Sequence, residues 1–184
     1  IPVQQNVLND FSINFSGEVS IITGSNMSGK STFLKTLGIN LSLAYAGGPV
    51  NASEMITPVF RIFSSLKIND SITDGVSFFY AEVKRLKNLL NELDLKDEQP
   101  LFFLIDEIFR GTNNVERLIG SRAYVKAISG KNGIGLISTH DLELIKLENE
   151  IPFVKNFHFK EEVVEEKMIF DYKLRTGPCP TTNA

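Results

Sequence analysis

Apolar residues occur along the chain in two kinds of run. VSIIT at Val19–Thr23, LFFLI at Leu101–Ile105 and the stretch Gly135–Ser138 are short and continuous, and they predict strands covered on both faces. Longer stretches carry apolar positions at helical spacing. Lys30–Ala46 does so through Phe33, Leu34, Leu37, Leu41 and Leu43 or Ala44, and stops at Gly47-Gly48-Pro49. Val76–Leu93 places Phe79, Val83, Leu86, Leu90 and Leu93 on one side. Val115–Ile128 is predicted helical, Asp141–Leu147 a short helix, and Val59–Ile68 extended. The tail alternates over Phe153–Phe159 and Lys167–Leu174, which predicts two strands separated by the charged EEVVEEK, with His158 on the solvent face. Strands alternating with helices imply right-handed βαβ crossovers. The expected fold is therefore α/β, a mainly parallel central sheet flanked by helices with an antiparallel C-terminal edge. No linker or repeat divides the chain, so residues 1–184 read as one domain.

Composition narrows the class. A hydrophobic content of 42%, a charged content of 22% and no apolar run of membrane-spanning length fit a globular fragment without membrane contact. The net charge is −3, and no block of Lys and Arg is dense enough to grip nucleic acid, so any DNA contact is expected from other parts of the molecule. One cysteine, Cys179, excludes an internal disulfide, and with only His140 and His158 beside it argues against structural zinc; a reducing, cytoplasmic setting is expected. The chain opens with Ile1-Pro2 rather than Met, and reads as a piece of a longer protein.

The polar turn between the first strand and the first helix carries the chemistry. Gly24-Ser25-Asn26-Met27-Ser28-Gly29-Lys30-Ser31 satisfies G-x-x-x-x-G-K-[ST] in a strand–helix context, which predicts a phosphate-binding loop of the P-loop NTPase kind. Glycines let the backbone curl so that N–H groups point inward, and the helix that carries Lys30, Ser31 and Thr32 adds its positive end. Lys30 would reach the β- and γ-phosphates of ATP, and Ser31 can ligate Mg²⁺. Asp106-Glu107 follows LFFLI directly; Asp106 would hold the metal and Glu107 would act as general base on water. His140 follows the strand GLIST on the same sheet edge, which favours a γ-phosphate or water sensor. Arg110-Gly111-Thr112-Asn113-Asn114 is a polar turn bordering the site. Val7, Leu8 and Phe11 can flank a base or pack in the core.

TGSNMSGKST, LIDEIFRGT and ISTHDLEL, together with PVFRIFSSL and Leu8-Asn9-Asp10, resemble the ATPase domain of the MutS family of DNA mismatch repair proteins, a branch of the ABC-type ATPases. They are similar to the family's TGPNMGGKST, MDEIGRGT, ATHYFEL, the strand before its signature segment, and its P-N-D approach to the first strand. By the same resemblance INDSITDGVSFFYAEV, residues 68–83, looks like the signature S-D-D-L-x-x-G-x-S-T-F-x-x-E, with Ser77 at the helix start and Glu82 on the family's glutamate. The resemblance implies that Ser77 meets the γ-phosphate bound on a partner subunit, that the turn around Asn113 crosses the dimer interface, and that two domains, a homodimer or a paralogue dimer, sandwich two ATP molecules. Phe78 stands where the family has threonine, and Ser25 where proline is common. The ending LRTGPCPTTNA departs from the family's S-Y-G segment, which looks more like a MutS-related paralogue.

The function so implied is ATP hydrolysis coupled to DNA binding by upstream domains. An ATPase of recombination or another DNA transaction without mismatch reading, and a nucleotide-dependent dimerisation switch with little hydrolysis, are the alternatives. A small-molecule kinase fits less well, because the Asp-Glu pair suits water attack and no acceptor pocket is legible.

Overall fold

The computed structural model describes residues 7–66, 78–95, 98–109, 112–164 and 167–179. The elements run β1 (Val19–Thr23), α1 (Lys30–Tyr45), β2 (Arg61–Ser65), α2 (Phe78–Leu93), β3 (Leu101–Asp106), α3 (Asn114–Ile128) and β4 (Gly133–Ser138). A 3₁₀ turn, Leu142–Lys146, and a one-turn helix α4, Leu147–Glu150, follow, and the chain ends in the hairpin of β5 (Val154–Val164) and β6 (Lys167–Thr176). One six-stranded sheet has the order β2-β3-β4-β1-β5-β6. Every pairing is parallel except β5 with β6.

The continuous apolar runs become central strands because both faces of the sheet are covered. Alternate residues of each strand feed opposite layers. Ile21, Leu101, Phe103, Ile105 and Ile137 join Leu86, Leu89, Leu93 and Val125 of α2 and α3 in one core. Ile22, Phe102, Leu104 and Leu136 join Leu34 and Leu41 of α1 in the other. The buried stripe of α2 is Leu86, Leu89 and Leu93; Leu89 lies in it although the predicted face omitted it, while Phe79 stays 36% exposed. Among the described residues, no helix is long and apolar enough to cross a membrane.

Three expectations change at the C-terminal side. Asp141–Leu147 is a 3₁₀ turn running into α4 rather than one helix. The charged stretch after Phe159 is strand as far as Val164: β5 pairs with β1 only to His158 but with β6 along its whole distal part, so the hairpin continues as a two-stranded ribbon. His158 is buried, not solvent-facing, and its Nδ1 lies 2.9 Å from the carbonyl of Gly177. The Gly177 amide donates to Asn156 O at 2.7 Å, one position beyond the Phe157–Thr176 pair, so the ladder with β5 runs on past β6 and keeps the Gly177 carbonyl beside the histidine. Val76 and Ser77 at the predicted start of α2, and Lys67 and Ile68 after β2, lie outside the described residues.

Close packing between β3 and β4 depends on a missing side chain. A Cβ on Gly135 would lie 2.2 Å from Phe103 O and 2.4 Å from its ring. Gly135→Ala is expected to destabilise by about 3 kcal/mol and to lower Tm by roughly 6–12 °C in a thermal melt. Gly47→Ala, where nothing lies within 4 Å and only a positive φ of 73° resists, should cost about 1 kcal/mol.

Candidate functional site

The C-terminal ends of β1, β4 and β3 lie side by side. Ile22 registers with Ser138, and Ser138 with Asp106, so the residues that leave these strands face one another across the sheet edge. Ligand sites of parallel α/β sheets form at such an edge.

The turn from β1 to α1 is curled by residues with positive φ: Gly24 at 144°, Met27 at 70° and Gly29 at 107°. Gly24 is required sterically as well, since a Cβ there would lie 2.8 Å from Ser28 Oγ and 2.9 Å from Phe159 O. Gly29 forms the N-cap of α1 without a side-chain hydrogen bond, and the first turn holds no acidic residue. The orphan amides of that turn thus have no partner from a capping side chain, and an anion can take them. The hydroxyls of Ser25 and Ser28 are buried without hydrogen-bond partners, and Asn26 and Met27 stand exposed at the tip. Lys30 is 5% exposed; its ammonium folds back over the turn, donating to Gly24 O at 2.6 Å and Ser25 O at 2.7 Å. Burial pulls the Lys30 pKa below the usual lysine range, against the attraction of Glu107, Asp106 and Glu161. This arrangement suits a bound anion, which would supply the lysine with a charged partner in place of carbonyls. Thr32 lies exposed at the start of α1 and contributes its carbonyl to the Thr36 hydroxyl.

Asp106 joins the two halves of the site. Its Oδ1 accepts the Ser31 hydroxyl at 2.9 Å and, in a short hydrogen bond, the hydroxyl of Ser138. A hydroxyl and a carboxylate oxygen at this separation are hard ligands that fit Mg²⁺. Among the described residues no three His, Cys, Asp or Glu side chains converge, so a cation here would draw its remaining ligands from water or a bound phosphate.

Glu107 has a φ of 54° and Phe109 one of 57°, both left-handed and neither glycine. Such conformations persist only where neighbours hold them. The Glu107 amide donates to Ser138 O at 3.0 Å and to Ser138 Oγ at 3.3 Å. The Phe109 amide donates to Glu82 Oε1 of α2 at 2.7 Å, and the Phe109 ring contacts Phe79 and Tyr124. His140 Nδ1 lies 3.6 Å from Glu107 Oε1, and both line a cleft of about 200 Å³ with Ile108, Arg117 and Thr139.

Glu107, His140, Lys30, Ser31 and Asp106 are therefore all brought to one edge. Asn113 caps α3, its side chain accepting the Glu116 amide at 2.9 Å. Ser77 lies outside the described residues. Phe11 packs edge-on against Phe33 and Phe157, a core role, while Leu8 is exposed.

Some residues at the site are invisible to pattern reading. Ser138 is small and apolar by context; its only signal is a hydroxyl at the end of a strand. Tyr172, on β6, adopts a φ of 55°, stacks on Phe170, and has its ring 3.3 Å from where a Gly29 Cβ would stand. Asn9 holds this strand, donating to Tyr172 O at 3.0 Å and accepting from the Leu174 amide at 2.7 Å. Lys173 reaches Leu8 O at 3.0 Å. These contacts span more than 160 positions, and no local pattern announces them.

Residues 20–183 match MutS domain V. The chain is 35% identical over 174 residues to a protein named DNA mismatch repair protein MutS from Aquifex pyrophilus, covering 93% of this chain and 20% of that protein. The same name belongs to a relative from Geobacillus sp. (strain WCH70), 32% identical over 178 residues, covering 96% of this chain and 20% of that one. A third, from Chloroflexus aurantiacus, is 35% identical over 172 residues and is covered to 17% of its length. The chain spans about a fifth of the length of these curated relatives. It belongs to the MutS domain V family.

Ser138→Ala removes the hydrogen bond donated to Asp106 while leaving the strand intact. It is expected to cost about 2 kcal/mol in urea unfolding, with an unchanged dependence on denaturant, because a buried carboxylate loses a charge-assisted donor.

Proposed function

We propose that this chain is an ATP-binding and hydrolysing module of the P-loop type. The observation that carries this reading is the uncapped, acid-free start of α1 opening from the curled Gly24–Ser31 turn, with Lys30 stored across it and Ser31 hydrogen-bonded to Asp106. The turn's amides with Ser25, Ser28, Gly29, Lys30, Ser31 and Thr32 would cradle the phosphates, and Lys30 would swing from the carbonyls of Gly24 and Ser25 to the β- and γ-phosphate oxygens. Asn26 and Met27 shape the tip. Ser31 and Asp106 would hold Mg²⁺, which when bound neutralises charge developing on the phosphates. Glu107, aimed by its left-handed backbone, would accept a proton from the attacking water, and His140 beside it would orient that water against the γ-phosphate. The stacked Tyr172 ring next to Gly29 supports reading that wall as the platform for the base.

Membership of the MutS domain V family supports placing this module, residues 1–184, as one domain of a longer DNA-processing protein. In that protein two such domains would close on ATP, with Ser77 and the Asn113 turn facing the partner's nucleotide and DNA gripped by other domains. Mismatch repair is the leading process, and the names of the relatives support it.

The test combines binding and turnover. A fluorescent ATP analogue with Mg²⁺ should bind the wild-type chain, and Lys30→Ala should weaken that binding at least about tenfold. Glu107→Gln should keep the binding and lower turnover by about 100-fold or more. Removing the metal with EDTA should abolish turnover. Failure of saturating nucleotide to occupy the folded chain would overturn the reading.

A further inference from the structure

We propose that Arg117 is a positioning residue for His140, acting through Asp141, so that the arrangement of the Glu107–His140 pair depends on helix α3; the inference deepens the ATPase reading and rests on it for its kinetic part. His140 lies in the connection after β4, and its ring makes one polar approach among the described residues, to Glu107 at 3.6 Å, longer than a hydrogen bond. The ring itself is 47% exposed. Where the ring stands relative to Glu107 is then governed by the backbone on either side. On one side the Thr139 amide donates to Ile22 O at 2.9 Å, tying it to β1. On the other, the Asp141 amide donates to Thr139 Oγ1 at 3.0 Å, and the Asp141 carboxylate accepts from Arg117 Nε at 3.0 Å.

Arg117 sits one turn into α3, its amide bonded to the carbonyl of the cap residue Asn113 at 2.9 Å. Its side chain lines the same cleft as Glu107 and His140. Further along, α3 reaches the same segment through Arg122 and Lys126, both paired with Glu150. Those pairs are more exposed, and exposed pairs contribute little. The Arg117 and Asp141 side chains are only 16% and 21% exposed, so this pair is screened less and is the one next to the histidine. A shift of α3 at its cap would therefore move Asp141 and, with it, the neighbouring imidazole relative to Glu107.

The experiment uses the 184-residue chain with Arg117→Ala, Asp141→Asn, both together, and Arg117→Lys, each checked by thermal melting. The His140 imidazole is followed by NMR without nucleotide, its Cε1–H resonance being identified by its loss in His140→Gln. Turnover and fluorescent-nucleotide binding are measured alongside. Each single variant should move or broaden the His140 resonance and lower kcat about tenfold, with nucleotide affinity within about twofold of wild type. The double variant should be no worse than either single, and Arg117→Lys should recover part of kcat. A His140 resonance unchanged in both single variants, or losses that multiply in the double variant, would overturn the proposal. If the wild-type chain binds nucleotide without turning it over even at concentrations where two copies associate, the hydrolysis reading fails while the resonance still decides the positioning role; Asp141→Asn, nearly isosteric, serves if Arg117→Ala does not fold.

Discussion

One carboxylate oxygen holds the site together. Asp106 Oδ1 takes a hydrogen bond from Ser31, at the start of the first helix, and another from Ser138, at the end of the strand between them. β4 lies between β3 and β1, so Asp106 and the glycine-rich turn would otherwise be separated by a whole strand. The two hydroxyls bridge that gap. Ser138 also accepts the Glu107 amide, so the oxygen that fixes Asp106 fixes the next residue's backbone as well. A buried carboxylate is tolerable only when such donors replace water, and here the donors come from elements that must be in register for the sheet to form.

The same logic explains why so much of the site follows from the fold. The apolar strands are buried on both faces, and their parallel pairing sends every connection back across the sheet to begin again at the same end. Loops leaving β1, β3 and β4 are consequently gathered at one edge without any long-range instruction beyond hydrophobic pattern. Gly135 permits β4 to lie close enough to Phe103 for this gathering to be tight. Glu82 and Phe79 of α2 and Tyr124 of α3 then brace the turn after β3 from the side opposite α1.

What could be read from residues alone was what local chemistry decides. The turn at Gly24–Ser31, the strand at Leu101–Ile105 with its acidic exit, and His140 just after β4 are each defined by neighbours in sequence. The boundaries of α1 and α3 followed from periodicity to within a residue or so. The misreadings share a cause. His158 alternates correctly for a solvent position, yet β5 lies inside the sheet between β1 and β6, and the residue is buried there against the Gly177 carbonyl. The charged part of β5 pairs with β6 alone, beyond the apolar runs that mark the central strands. Ser138, Tyr172 and the Arg117–Asp141 pair matter through contacts across the sheet or between distant segments, and nothing in their immediate neighbours marks them.

The segment around Asn9 has one more effect. β6 is the outermost strand, and outermost strands expose backbone groups that can recruit a further chain. Asn9 occupies the Tyr172 carbonyl and the Leu174 amide with its own side chain, as an adjoining strand would, and Lys173 ties down Leu8 beside it. Around Tyr172–Leu174 this border of the sheet is thereby closed to strand addition. At the opposite border β2 is only five residues long. Growth into a larger sheet thus meets a side-chain amide over part of one margin and a short strand at the other.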